Sequence, residues 1–191
     1  MQFLGLSETE LDESKYQSTK INLTNAKLHV KNGIGISVNE AARTVNLGKK
    51  SEIRADVLLI TKDSKKANNY AFILNADDSV LEGRTKIINS PKTTFNLNNN
   101  TQWIVKTSTT ELNDNGKHLD IAQKSRSDIS TLNLDNSSIV FSKPTEEHYH
   151  TLHIGSGKPD TSAVYNATGD AQIYFNVAWS DSIASCRSKN R

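Results

Sequence analysis

Cysteine is nearly missing from this chain. Only Cys186 is present among 191 residues, so no intramolecular disulfide can staple the fold. Also missing is any apolar run near the ~20 residues that a membrane-spanning helix needs. The opening residues, MQFLGLSETELDESKYQ, show no basic stretch followed by an apolar one. No secretory leader is therefore visible, and read literally the chain stays where it is made. A dominant charge sign is absent too. The 23 basic and 21 acidic residues are interspersed, with short runs such as Lys49-Lys50 and Lys65-Lys66 but no stripe. Nucleic-acid binding would want a concentrated basic face with aromatics, and aromatics are 6% of the chain. Neither Gly-x-Ser-x-Gly nor Gly-Asp-Ser-Gly occurs. "GIG" (33–35) and "GSGK" (155–158) lack the spacing and following helix of a phosphate loop.

What is present is uncharged polarity. Asn, Ser and Thr number 58, close to a third of the chain, and mean hydropathy is −0.56. That composition favours turns, side-chain ladders and strands over long helices. With 23% charged residues and β-branched residues throughout, global disorder is not expected. The length suits one domain.

Residues 1–18 read as a polar, poorly structured lead-in, in which Ser7 and Glu10 fit the capping box of a short helical turn. From residue 19 apolar and polar residues alternate with the strand period of two. A motif then recurs: "INLTNAKLHV" (21–30), "VNLGKKSEIRA" (45–55), "FNLNNNTQWIV" (95–105) and "LNLDNSSIVF" (132–141). Each opens with an apolar residue, Asn and Leu, passes through a short polar turn, and resumes alternation. "AFILNADDSVL" (71–81) is a degenerate copy around Leu74, and "TLHIGSG" (151–157) looks like the first half of another. Leu23, Leu47, Leu74, Leu97 and Leu134 are 24, 27, 23 and 37 residues apart, and Leu152 follows 18 later. The long step holds residues 107–128, a projecting loop or small extra hairpin. After Leu23 alternation resumes at Leu28 and Val30, whereas after Leu47 it resumes at Ile53 and Ala55, one position later. The turn absorbs that residue if each strand keeps its phase toward the core.

A period near 25 predicts stacked coils, an all-β parallel β-solenoid over residues 19–183, with an irregular basic tail at 184–191. Six or so coils at ~4.8 Å each give a stub about 30 Å long. The expected inward core is Leu23, Leu28, Leu47, Ile53, Leu97, Trp103, Val105, Leu132, Leu134, Ile139, Phe141, Leu152, Ile154, Ile173, Phe175 and Val177, with Val140 pointing outward. Asn and Ser/Thr are expected to ladder at the corners. The competing antiparallel sandwich would show turns every 8–12 residues. Asn32-Gly33 and Asn115-Gly116 are such signals, but the repeat runs at roughly twice that interval.

The segment from Trp103 to Val177 adds an ordered series. Trp103 and Val105 come first, then Ser130, Leu132 and Leu134, then Ser137, Ile139 and Phe141, then Tyr149, Leu152 and Ile154, and finally Gly169, Ile173, Phe175 and Val177. This series resembles the passenger domain of pertactin-like autotransporters near its C-terminal autochaperone region. Residues 19–102 match only through the generic repeat. The resemblance implies a right-handed single-stranded parallel β-helix, displayed on or released from a Gram-negative cell surface. It further implies an adhesive or virulence role, with host-cell surface or matrix components as partners through the loops. A signal peptide and a membrane β-barrel accompany such passengers, and this chain itself is not expected to span a membrane. Its end, "IASCRSKNR", departs from the family pattern, so the chain is expected to be a fragment.

Chemistry is sparse. "HYHTLH" puts His148 and His150 on one face of a strand and His153 on the other. They are weak metal candidates without a clear fourth ligand, although Glu146 and Glu147 precede them. The plainer reading is exposed strand histidines. A carbohydrate-active β-helix enzyme is the alternative function, and Asp77-Asp78 with Arg84 is the nearest local approach to it. Adjacent residues on a strand point to opposite faces, so the two carboxylates converge poorly and read better as a turn. Trp103 reads as core. Trp179 is a candidate for partial exposure at an edge that would be sticky without further coils. Cys186 has no paired base, and no cofactor, metal site, catalytic residue or nucleic-acid partner is expected. Asn-x-Ser/Thr sequons begin at Asn22, Asn99, Asn136 and Asn166 and read as chance.

Overall fold

The structure is a computed structural model that describes residues 1–4, 19–39, 42–62, 70–89, 92–113, 115–145, 148–155 and 164–176. Fifteen strands follow one another: β1 (Gln2–Leu4), β2 (Thr19–Thr24), β3 (Lys27–Asn39), β4 (Arg43–Gly48), β5 (Glu52–Lys62), β6 (Ala71–Asp77), β7 (Val80–Ile88), β8 (Lys92–Asn98), β9 (Gln102–Val105), β10 (Arg126–Ile129), β11 (Thr131–Asp135), β12 (Ser138–Phe141), β13 (Thr151–Ile154), β14 (Tyr165–Thr168) and β15 (Gln172–Tyr174). Among the described residues there is one short helix, α1 (Ile121–Lys124), capped by Asp120, whose carboxylate accepts from Gln123 N.

All pairings among these strands are parallel. One sheet runs β1-β3-β5-β7-β9-β12-β15, another β2-β4-β6-β8-β11-β14, and β10 pairs β13 separately. The chain visits the two large sheets alternately, and each circuit lies beside the one before it. Tight turns of one or two left-handed residues make the switch: Asn25, Lys49-Lys50, Asp78, Asn99-Asn100, Asn136 and Gly169. Asn, Asp and Gly tolerate that region, which explains most of the column. The extra residue after Leu47 is spent there, because Leu28 pairs Ile53 and Val30 pairs Ala55 as their phase requires.

Strict alternation of burial along β4, β6, β8 and β11 puts every second side chain into one core. Leu47, Ile53, Leu97, Trp103, Val105, Leu132, Leu134 and Ile139 are buried, and Leu23, Leu28, Phe141, Leu152, Ile154 and Ile173 pack against them partly covered. Val140, between Ile139 and Phe141, is half-buried and paired with Ile104 and Tyr174. Trp103 packs on Phe95 with ring centroids 5.1 Å apart, and its Nε1–H donates to the Gly83 carbonyl at 3.0 Å. Phe175 departs from expectation. It lies past β15 on the last described circuit, is 66% exposed, and stacks its ring on Phe141. Val177 lies outside the described residues, as do Ser7, Glu10, Glu146, Glu147, Trp179, Cys186 and the tail at 184–191.

Three further expectations need correction. Part of the lead-in is ordered: β1 pairs Ser37–Asn39 of β3, and the Met1 amine donates to Gly35 O. Leu74 is not the counterpart of Leu47, because it pairs with Val45 and Phe95 while Ala76 takes the leucine position. "TLHIGSG" is not a half copy either, since Leu152 belongs to β13 and pairs Ser127 of β10. The sixth copy is Tyr165-Asn166-Ala167, in register with Leu132-Asn133-Leu134.

Asparagine ladders run along the middle of a strand face, not the corners. Asn46, Asn75, Asn96, Asn133 and Asn166 each donate an Nδ2–H to the Oδ1 of the asparagine one circuit earlier, ending at Asn22, over 2.6–2.7 Å. Hydroxyls do occupy a corner. Buried Ser51, Ser79, Thr101 and Ser137 bond turn carbonyls, and Ser51 and Thr101 also accept the Ala26 and Ser79 amides.

Candidate functional site

The longest irregular stretch in the described residues leaves β9 at Lys106 and returns at β10, and it is anchored by a dense set of polar contacts. Strand β5 is bulged between Arg54 and Val57, and this irregularity carries Asp56. Asp56 is buried and accepts five hydrogen bonds from Ser108 Oγ, Thr109 N and Oγ1, and Thr110 N and Oγ1, at 2.6–3.1 Å. Burial pushes its carboxyl upward, but the donated hydrogen bonds outweigh this and hold it below the usual range.

One residue on, Glu111 receives the Arg84 guanidinium and Lys86 Nζ, the latter at 2.8 Å. Arg84 also donates from Nε to Arg126 O. Burial lowers the Arg84 pKa, against the pull of Glu111, Asp128 and Asp56. Arg84 reaches this position because Gly83 (φ 127°) turns β7 there. A Cβ on Gly83 would meet Leu58 N at 2.6 Å, so only glycine fits.

Held at its base, the stretch closes as a small hairpin. Leu112 bridges His118 antiparallel, Gly116 turns with positive φ, and Asn113 Oδ1 accepts the amides of Asn115 and Lys117. Leu112 at the rim is 48% exposed. The expected projecting segment 107–128 is thereby narrowed, because Thr107, Ser108, Ser125 and Ser127 are buried in the body.

The histidines do not converge. His148 and His153 are exposed, whereas His150 is buried against Ser127, with Nε2 and Oγ 2.9 Å apart. His150 was expected on an exposed strand face. The segment after Phe141 instead folds it under the Phe141 ring, with centroids 6.3 Å apart. Burial, followed by the neighbouring Arg84 charge, lowers its pKa to about 4, so the ring is neutral. Ser127 is sealed from solvent and already accepts Thr85 N at 3.0 Å, so this Ser–His contact ties β10 to the residue preceding β13 and is not an exposed nucleophile. Among the described residues no three His, Cys, Asp or Glu side chains gather to hold a metal ion.

Asp77, Asp78 and Arg84 do not form one site. The two aspartates sit at the turn between β6 and β7, with Asp77 accepting from Asn99, while Arg84 is buried farther along β7 against Glu111. Two other surfaces are built by stacking. Lys27, His29 and Arg54 surround Glu52, Arg54 also reaches Glu82, and Lys106 joins Glu82, giving a column of alternating charge. Hydrogen bonds from Arg54, Lys27 and His29 hold Glu52 down at about 2. Along the turn column Asn99, Asn100, Asn136, Ser138, Asp170 and Gln172 line an open groove of about 500 Å³. Its mostly uncharged amides suit a neutral hydrogen-bonding ligand better than an ion.

Asp56 and Glu111 were not singled out from the sequence. A "TSTTE" run supplying donors and a carboxylate at an insertion boundary was the available signal, but the acceptor lies more than fifty residues upstream. Among the described residues no helix is long and apolar enough to cross a membrane. Protein-family models, curated proteins and solved structures all fail to match this chain.

Proposed function

We propose that this chain is a segment of a pertactin-like autotransporter passenger. Its circuits are coils of a right-handed parallel β-helix displayed on or released from a cell surface, and its role is adhesive, without chemistry of its own. The observation that supports this reading is the anchoring of the hairpin. Asp56, Arg84 and Lys86, three residues on two neighbouring strands, hold one side loop in a fixed shape. A rigid scaffold presenting a pre-organised loop is an arrangement suited to recognition, because little ordering entropy remains to be lost on binding.

The test is attachment of the fluorescent full chain to cultured epithelial cells and immobilised matrix proteins. Replacing residues 112–118 with Gly and Ser should reduce attachment at least tenfold while the melting temperature holds. Undiminished attachment of that variant, or no attachment by the parent chain, counts against the reading.

A further inference from the structure

Among the described residues the outermost circuit at each end of the stack has one flank without a paired strand, and the two flanks differ in kind. Among the described residues nothing pairs the outer edge of β2 at one end or of β14 and β15 at the other. At the first end Ile21, Leu23 and Leu28 are only partly covered. At the second, Tyr165 and Phe175, in the columns of Leu132 and Phe141, are 40% and 66% exposed.

The asparagine ladder gives the stack a direction. Each Nδ2–H points to the preceding circuit, so Asn22 keeps its amide donor free of the ladder and Asn166 keeps its Oδ1 acceptor free. The charges differ too. Residues 19–39 carry Lys20, Lys27 and Lys31 and no acid, whereas residues 164–176 carry Asp170 and no base.

We propose that a second copy of this chain docks head to tail on the β14–β15 end. Its β2 continues the sheet beyond β14, and its Asn22 donates to Asn166. The apolar positions Leu23 and Leu28 then cover Ala167 and Ile173, and the lysine-bearing end meets Asp170. Two unlike, complementary surfaces make a heterologous contact, which does not close after one step. The assembly therefore grows as a linear array, and the attachment role proposed above neither requires nor implies it.

The test uses the full chain with Cys186→Ser as background. Sedimentation velocity should show a weight-average mass that rises continuously with concentration and does not stop at the dimer. Adjacent parallel strands lie ~4.8 Å apart, within the Cα separation a disulfide spans. Mixing an Asn22→Cys variant with a differently tagged Asn166→Cys variant under mild oxidation should give mixed-tag dimers in large excess over same-tag ones. Ala167→Lys, on an exposed strand, should fold with an unchanged circular-dichroism spectrum yet stay monomeric, because docking would bury its ammonium. A constant monomer mass, same-tag dimers at statistical frequency, or assembly undisturbed by Ala167→Lys would each overturn the proposal.

Discussion

Leu134 is 1% exposed, between Leu97 on one side and Ala167 on the other. Leu134→Asp sets an unpaired carboxylate into that column, and a loss of roughly 4 kcal/mol or more is expected. Chemical denaturation measures it, and an unchanged midpoint would place Leu134 outside the core. His150 makes a gentler test. Its folded pKa of about 4 lies below the ordinary histidine value of 6.5. Between these values the unfolded chain binds the extra proton, so stability from the neutral ring is complete above about pH 6.5 and is lost as pH falls toward 4. The difference is on the order of 3 kcal/mol. His150→Gln should flatten the fall of melting temperature across that window. An identical pH profile for parent and variant would show that His150 is not the group responsible. Asp56 has the same sign by a different cause. Its carboxyl is depressed, so its contribution is present above the ordinary aspartate range and disappears in stronger acid. Asp56→Ala should cost about 2–3 kcal/mol and expose the Thr109 and Thr110 amides to fast hydrogen exchange. Continued protection of both amides would refute the anchoring role.

At the scale of the element, the turns repeat a backbone shape while the residues filling it vary. Most circuits place Asn, Asp or Gly in the left-handed position, but β4 leads into Lys49 and Lys50, with φ of 52° and 64°. A lysine there bears a steric cost that asparagine and glycine largely escape. Lys49→Asn combined with Lys50→Gly should stabilise the protein by about 0.5–1 kcal/mol, read as a higher denaturation midpoint. A lower midpoint would mean that the lysine side chains contribute more than the strain removes. The same turns explain what the sequence made legible. Leu23, Leu47, Leu97 and Leu134 were readable because large apolar residues flank an asparagine and a polar turn follows. The Leu74 copy was misregistered because Ala76 fills the leucine position and is too small to mark it. Tyr165-Asn166-Ala167 carries little signal for a similar reason, its flanking residues being an exposed tyrosine and an alanine. The bent second halves of β3, β5 and β7 carry no periodic signature, since their bulges break alternation just where Asp56 and Arg84 turn inward. Long-range partners such as Asp56 with Ser108 and Arg84 with Glu111 arise only when the insertion folds back on the circuits.

For the whole molecule, stacking makes stability a nearest-neighbour property. An interior circuit buries both of its flanks and a terminal one buries a single flank, so equivalent leucines should not contribute equally. Leu74 on β6 is fully buried between β4 and β8, whereas Leu23 on β2 has β4 on one side and remains partly exposed. Leu74→Ala leaves a cavity enclosed on both sides and is expected to cost about 3–5 kcal/mol; Leu23→Ala removes less buried area, leaves no closed cavity, and is expected to cost about 1–2 kcal/mol. Hydrogen exchange extends the comparison to the backbone. Amides of β6 and β8 should exchange only near the global unfolding free energy, and those of β14 and β15 several orders of magnitude faster, because among the described residues their circuit pairs on one side alone. The gradient is also informative about assembly. Head-to-tail docking gives β14 and β15 a second neighbour, so their protection should rise with protein concentration while that of β6 and β8 stays constant. Uniform protection along the stack at low concentration would mean that the protein unfolds as one indivisible unit and that its circuits are coupled more strongly than pairwise stacking provides.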